Sequence, residues 1–164
     1  MQTEKIIISP SPTADTRTCN VDHVSSDELL RSTAMHIDDV RKGICFIASL
    51  LADRAMDHDK TKISDFDQFY HDFKTGFQDT TWWLMHKEQE RHHLSFPNVD
   101  KDCDGINLID ILECVVDGVM AGIARSGKYY PITISSERLQ LAVQNTAKLL
   151  LENIELRSGE EHGT

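Results

Sequence analysis

Apolar residues recur at helical spacing along most of the chain after residue 25. In the first such segment they repeat every three or four residues, as in an amphipathic helix, at Leu29, Leu30, Ile37, Val40, Ile44 and Ile47. Ser25 followed by Glu28 matches a capping box, in which each side chain accepts a hydrogen bond from the other residue's backbone amide. The pattern predicts a helix that begins at Ser25.

Two helices are predicted in the middle of the chain. Ser64 is a predicted N-cap, and the aromatic residues that follow share one helical face that Gly76 should end: Phe66, Phe69, Tyr70 and Phe73. A second helix is predicted from about Thr80 to Arg91.

Two longer helices are predicted in the C-terminal part. Asn107, with Asp110 at the box position, should begin a strongly apolar helix that Gly127 ends. Ser135 or Ser136 should begin the last helix, whose apolar side extends to Ile154.

Strand patterns are nearly absent, so the predicted fold class is all-α. We expect one helical domain at residues 25–156, between a flexible N-terminal arm at 1–24 and a polar tail at 157–164. The arm has room for a short strand at Ile6–Ile8.

Composition narrows the class of protein. The net charge of -10 argues against non-specific binding to nucleic acid or to an anionic membrane. No apolar run approaches the roughly 18 residues that a membrane span needs. Cys45 and Cys114 lie in apolar helical segments and are expected to be buried, reduced thiols. A cytoplasmic location is therefore expected.

The histidines and aspartates provide the candidate chemistry. Neutral imidazole and carboxylate groups suit Mn, Fe, Ni, Co or Zn. The candidate ligands are His36, His58, Asp59, His86, His92, His93 and Asp117. Asp110, Glu113 and Asp117 share one helical face, where we expect Asp110 and Glu113 to cap or to support ligands rather than to bind metal.

His36 can join such a site only if the chain turns back. In one unbroken helix, the steps from His36 to His58 would cover about 33 Å at 1.5 Å per residue. A metal site that includes both residues therefore predicts a turn near Ser49–Asp53.

The ordered set resembles the HD superfamily of metal-dependent phosphohydrolases. Its signature is a histidine, a His-Asp doublet and a distant aspartate, which here are His36, His58-Asp59 and Asp117. Members with two-metal sites carry extra histidines, which His86 and His92-His93 would supply. Many also carry a lysine three residues after the doublet, here Lys62, which looks like a phosphate contact.

A closer likeness is to a small, largely uncharacterised HD branch from phages and bacteria, over roughly residues 33–125. The chain departs from that branch at Thr61 in place of serine, Val116 in place of cysteine and Gly118 in place of tryptophan. The Gly-Tyr-Pro signature of cyclic-di-GMP phosphodiesterases does not follow His92-His93.

The resemblance implies an enzyme with one or two divalent transition-metal ions. It would hydrolyse a nucleotide or another small phosphoester with a metal-activated water. Asp59 would bind the metal and orient the water, and Lys62 would neutralise charge on the phosphate. Arg91, Arg125 and Lys128 are further candidates for holding an anionic substrate.

Several alternatives remain open from the sequence. The domain could act as a phosphodiesterase on cyclic or linear oligonucleotides, or hold metal without turnover as a regulatory or binding module. Asp100–Gly105 copies the first half of an EF-hand loop, but Ile111 stands where the glutamate belongs, which favours a plain polar loop. Trp82 and Trp83 are expected in the core or an interface, and a homodimer is compatible with them.

Overall fold

The computed structural model describes residues 5–11, 16–17, 19–78, 81–94 and 105–157. Within these ranges the chain is mostly helical, which confirms the predicted class. A 3₁₀ turn at Val21–His23 precedes the first helix. In chain order the regular elements are β1 Ile6–Ile8, α1 Ser26–Asp57, α2 Thr61–Ser64, α3 Phe66–Lys74, α4 Thr81–Gln89, α5 Leu108–Ser126, α6 Ser136–Asn153 and β2 Ile154–Leu156.

The predicted caps of α1 and α5 are confirmed. The backbone amide of Ser25 donates to Glu28 Oε2 over 2.9 Å, and the Glu28 amide donates back to the Ser25 hydroxyl. At α5 the Asn107 amide donates to Asp110 Oδ2 over 2.9 Å, which completes the second capping box. Gly127 ends α5 with φ 65, a left-handed conformation that glycine adopts without steric cost.

Three predicted boundaries are wrong. The helix α1 is continuous through Ser49–Asp53, so the predicted turn does not form. Ser64 ends α2 instead of capping α3, which begins after Asp65 without a side-chain cap. Ile154 was predicted on the last helix but begins β2.

Contacts between residues divide the chain into two compact units. The first comprises residues 1–49 and 148–164, and the second residues 50–147. In the first unit, β1 pairs in parallel with β2, so that Ile6 faces Ile154 and is almost fully buried. Part of the predicted flexible arm is therefore held by strand pairing. Along α1, Leu30 and Ile44 remain 70% and 64% exposed, although their spacing predicts a buried face.

The second unit has a small apolar core between α5 and α6. Ile106, Ile111 and Ala142 are buried together, and Leu94, Leu108, Ile134 and Leu141 pack against them. A second cluster joins α3 to α4, where the rings of Phe69 and Trp82 lie 4.6 Å apart. Trp82 is buried as predicted. These two clusters fix α3, α4 and α5 around the residues described below.

Two non-glycine residues adopt positive φ angles in the described part of the chain. They are Asp59, with φ 52, and Phe77, with φ 60. Aspartate tolerates this left-handed region better than most residues, whereas a bulky aromatic residue rarely adopts it. Asp59 lies in the turn between α1 and α2, and Phe77 follows the end of α3.

One of the two predicted buried thiols is buried. Cys114 is buried, as predicted, but Cys45 is exposed, so the prediction of a second buried thiol is wrong.

Among the described residues, no helix combines the length and the apolar character required to cross a bilayer. Asp100, Asp102 and Asp104 of the EF-hand-like segment lie outside the described residues.

Candidate metal centre

Four histidines and two aspartates converge in the second unit. Asp59 lies at the middle, because its two carboxylate oxygens face different partners. Oδ1 lies 3.3 Å from His86 Nε2 and 3.6 Å from His92 Nε2. Oδ2 lies 3.5 Å from His58 Nε2, which is in turn 3.7 Å from Asp117 Oδ1. A carboxylate with partners on both oxygens can serve two adjacent ions.

The last histidine, His93, joins the group on the Oδ1 side. Its Nε2 lies 2.8 Å from His86 Nε2. Three sets of three ligand atoms among the described residues are close enough to share one ion: Asp59, His92 and His93; His58, Asp59 and Asp117; and His58, His92 and Glu113. The structure thus brings together six of the seven predicted ligands.

His36 is the seventh predicted ligand, and it does not belong to these sets. It is exposed on α1 in the first unit, beside an apolar groove that includes Val40, Ile44 and Leu150. Its inclusion depended on a turn at Ser49–Asp53, which the unbroken helix α1 lacks.

Glu113 contacts the Nδ1 atoms of two of the histidines, on the side of each ring away from the aspartates. Its Oε1 accepts a hydrogen bond from His58 Nδ1 over 2.9 Å. The same oxygen lies 3.0 Å from His92 Nδ1, although that ring is not aligned for a linear hydrogen bond. With Nδ1 turned towards the carboxylate, each Nε2 faces the aspartates. Such support fixes the tautomer and orientation of metal-binding histidines. The prediction that Glu113 supports ligands therefore matches its contacts.

Thr61 fixes the third histidine. Its hydroxyl donates to Glu90 Oε1 over 3.0 Å, so its oxygen accepts from His86 Nδ1 over 2.6 Å. With Nδ1 turned towards Thr61, the Nε2 atom of His86 faces Asp59 Oδ1. The buried side chains of His86 and Glu90 make this arrangement rigid.

Asp110, on α5, forms ion pairs with Arg91 and Arg54. Its fully buried carboxylate accepts from Arg91 Nε over 3.0 Å and from a second Arg91 nitrogen over 2.7 Å. It also accepts from Arg54 over 3.3 Å, and Arg54 Nε lies 3.3 Å from Glu113. Arg91 additionally donates to the Gly105 carbonyl. These contacts give Arg91 a structural role and do not support its prediction as a substrate contact.

Electrostatics in the cluster favour ionised aspartate. Burial acts to raise the pKa of the Asp59 carboxyl. The contacts with His86 and Lys62 outweigh burial and hold this pKa well below its usual range. Lys62 contributes through a direct ion pair with Asp59 Oδ2.

The pKa values of the two adjacent histidines are shifted in opposite directions. Burial, reinforced by the neighbouring His92 and His86, lowers the pKa of His93 to about 3, so His93 is neutral. Burial also acts to lower the pKa of His92, but the Glu113 carboxylate outweighs it and raises the pKa.

The cluster leaves buried polar atoms without hydrogen bonds. Among the described residues, Asp59 Oδ1 and His92 Nε2 are two such atoms, and they face each other. His86 Nε2 also lies 3.3 Å from Asp59 Oδ1. Acceptors that converge in a buried position repel one another unless a cation or a proton lies between them. The side chains therefore fit a divalent cation with nitrogen and oxygen ligands.

A cavity of about 650 Å³ opens beside the cluster. His93 and Asp117 form one part of its wall, and two predicted substrate contacts, Lys62 and Arg125, lie there too. The remaining wall is aromatic: Phe69, Phe73, Phe77 and Trp83. Lys128 is exposed and does not line this cavity, so its predicted role in binding has no support from the geometry.

Three residues that contribute to the centre were missed in the sequence. Arg54 lies four residues before His58, and Glu90 four residues after His86, a spacing that marks each as a possible neighbour of a predicted ligand. Thr61 stands inside the His58–Lys62 segment, but nothing in the sequence indicates that its hydroxyl reaches a histidine on another helix.

Comparison with known proteins gives a family without an assigned activity. A family model described as "Family of unknown function (DUF5662)" matches residues 25–156. The comparison with curated proteins and the comparison with solved structures each found no match.

Proposed function

The chain belongs to this family of unknown function, and from its own residues we propose that it is a metal-dependent phosphohydrolase of the HD type. The observation that carries the proposal is the buried oxygen Asp59 Oδ1. It has no hydrogen bond among the described residues, yet it lies within 3.6 Å of two imidazole nitrogens.

Six side chains would hold the metal. Asp59 Oδ1 with His86, His92 and His93 would form one position, and Asp59 Oδ2 with His58 and Asp117 the other. When bound, a divalent ion of this kind lowers the pKa of a coordinated water and neutralises phosphoryl charge. The match in ligand order to the HD signature, from the doublet His58-Asp59 to Asp117, supports this proposal. His36 is not part of the proposed set.

The remaining roles follow from position. Glu113 and Thr61 keep the Nε2 atoms of three histidines turned inwards. Lys62 pairs with Asp59 and also lines the cavity, so its ammonium group can bind a phosphoryl oxygen as charge develops there. Asp117 likewise belongs both to a ligand set and to the cavity wall, so a substrate in the cavity would lie next to the metal.

Metal content and hydrolysis test the proposal. Protein loaded with Mn²⁺ should bind the ion and release phosphate from a panel of phosphomonoesters. Asp59→Asn should abolish both properties. Asp57→Asn is the matched control, because Asp57 lies two residues earlier and forms only an exposed ion pair with Lys60. It should behave like the wild type.

Each other result has a clear meaning. Metal binding without cleavage of any phosphoester would refute the enzyme and favour a binding module. Cleavage of dinucleotides but not of monoesters would favour a phosphodiesterase. No binding of Mn²⁺, Fe²⁺, Co²⁺, Ni²⁺ or Zn²⁺ would refute the metal centre itself.

A further inference from the structure

The cavity beside the metal centre has an unusual wall. Four aromatic side chains line it, and we call this part, formed by Phe69, Phe73, Phe77 and Trp83, the aromatic cleft. The rings contact one another: Phe77 lies 5.6 Å from Trp83 and 6.2 Å from Phe73. A connected set of ring faces of this kind is suited to stacking on a flat ligand.

The aromatic cleft is continuous with the metal centre. The ring of Trp83 lies 5.6 Å from His86 and 5.4 Å from His93. One small molecule could therefore contact both the aromatic cleft and the metal ligands. The cavity volume of about 650 Å³ lies in the range typical of small-molecule sites.

Positive charge lies where a phosphate would meet the metal. Lys62 and Arg125 both line the cavity. Arg125 forms no hydrogen bond or ion pair with other residues in the described ranges, so its guanidinium group is available for an anion. Lys62 is paired with Asp59, and Asp117 also lines this cavity, so Arg125 supplies the positive charge that an anionic ligand would meet there.

A second cavity beside the centre has a different lining. It borders His58, Glu113 and Asp117, but its further wall is aliphatic, formed by Leu51, Leu112, Val116 and Met120. Its basic residue, Arg54, is already paired with Asp110 and Glu113. Of these two cavities, the one with the aromatic cleft combines ring faces with an available cation.

We propose that the aromatic cleft binds the base of a nucleoside monophosphate, whose phosphate group reaches Lys62, Arg125 and the metal centre. This inference rests on the proposed function and names its substrate class. In the reaction, the oxygen of water bonds to phosphorus and the ester P–O bond breaks. One proton of the water ends on the released nucleoside hydroxyl, so the products are a nucleoside and inorganic phosphate.

Two compounds that differ only by the base provide the test. With Mn²⁺-loaded protein, kcat/KM should be about 10-fold or more higher for adenosine 5′-monophosphate than for ribose 5-phosphate, given the usual strength of base stacking on aromatic side chains. Calorimetric titration with the same two compounds should show the same preference in Kd, and this readout does not depend on turnover.

Matched variants on α3 locate the preference. Phe73 and Phe66 are 58% and 55% exposed, so either can be changed to leucine without opening the core. Only Phe73 lines the cavity. Phe73→Leu should reduce the preference towards unity, mainly through KM for the nucleotide. Phe66→Leu should leave the preference intact.

The outcomes separate this inference from the proposed function. Equal hydrolysis and equal affinity for both compounds would overturn the role of the aromatic cleft and leave the phosphohydrolase standing. Affinity for the nucleotide without hydrolysis would support the cleft and refute the enzyme. Binding of neither compound to the Mn²⁺-loaded protein would overturn the inference.

Discussion

Asp110→Asn tests how much the buried charge of Asp110 contributes to stability. The substitution keeps the shape of the side chain but removes the charge that pairs with Arg91 and Arg54. Removing one partner of a buried ion pair costs about 3–5 kcal/mol. The cost should fall at the lower end. Arg91 is 41% exposed and can regain water, and Arg54 keeps its contact with Glu113.

We therefore expect a loss of about 3 kcal/mol in the free energy of unfolding. For a chain of this length that corresponds to a fall of roughly 6–12 °C in Tm. Urea denaturation followed by the fluorescence of Trp82, which is buried in the same unit, measures the effect. Asp38→Asn is the control, because its ion pairs with Arg41 and Lys42 are exposed, and it should not change the transition. A loss below about 1 kcal/mol for Asp110→Asn would refute the view that the buried pair holds α5 in place.

Three further predictions concern packing, metal affinity and pH. Gly122→Ala should destabilise the protein by about 1–3 kcal/mol, because its Cβ would lie 2.7 Å from a backbone oxygen. Gly43→Ala meets nothing closer than 3.9 Å on α1 and should instead stabilise the helix, so equal effects in urea denaturation would contradict the packing argument. Glu113→Gln should weaken Mn²⁺ binding about 10- to 100-fold in chelator competition at pH 8, whereas the exposed Glu88→Gln should not. An unchanged affinity for Glu113→Gln would mean that the histidines need no support. His93 has a folded pKa of about 3 against 6.5 when unfolded, so the unfolded state binds the proton first. Metal-free protein should therefore lose stability as the pH falls from 6.5 towards 3, and His93→Gln should show a shallower loss in urea titrations at several pH values.

Local chemistry was predictable from the sequence, and long-range contacts were not. The capping boxes at Ser25 and Asn107 involve residues three apart, so the sequence alone identifies them. The grouping of His58-Asp59 with the distant Asp117 is an exception, because it follows from the order of ligands in which the chain resembles the HD superfamily.

The errors arose where one segment depends on another. The end of the last helix was misplaced because Ile154 pairs with Ile6, which is remote in the sequence. The turn before Asp53 was inferred from a supposed need to include His36, although the apolar pattern itself continues without a break. Arg54 was missed because an arginine on a helix surface is usually solvated, and only the fold places it between two buried acids.

Phe77 combines a backbone conformation that costs folding stability with a side chain that lines the aromatic cleft. A left-handed conformation costs a residue with a Cβ about 1–2 kcal/mol, and glycine would avoid this cost. The Phe77 amide is held by the Asp72 carbonyl over 2.8 Å, so the backbone would keep this turn with glycine as well. Glycine would avoid the backbone cost, but it would also remove one of the ring faces in the aromatic cleft and that ring's contacts with Phe73 and Trp83. If that ring stacks on a nucleotide base, the backbone cost at Phe77 is one that the protein bears to retain a binding surface.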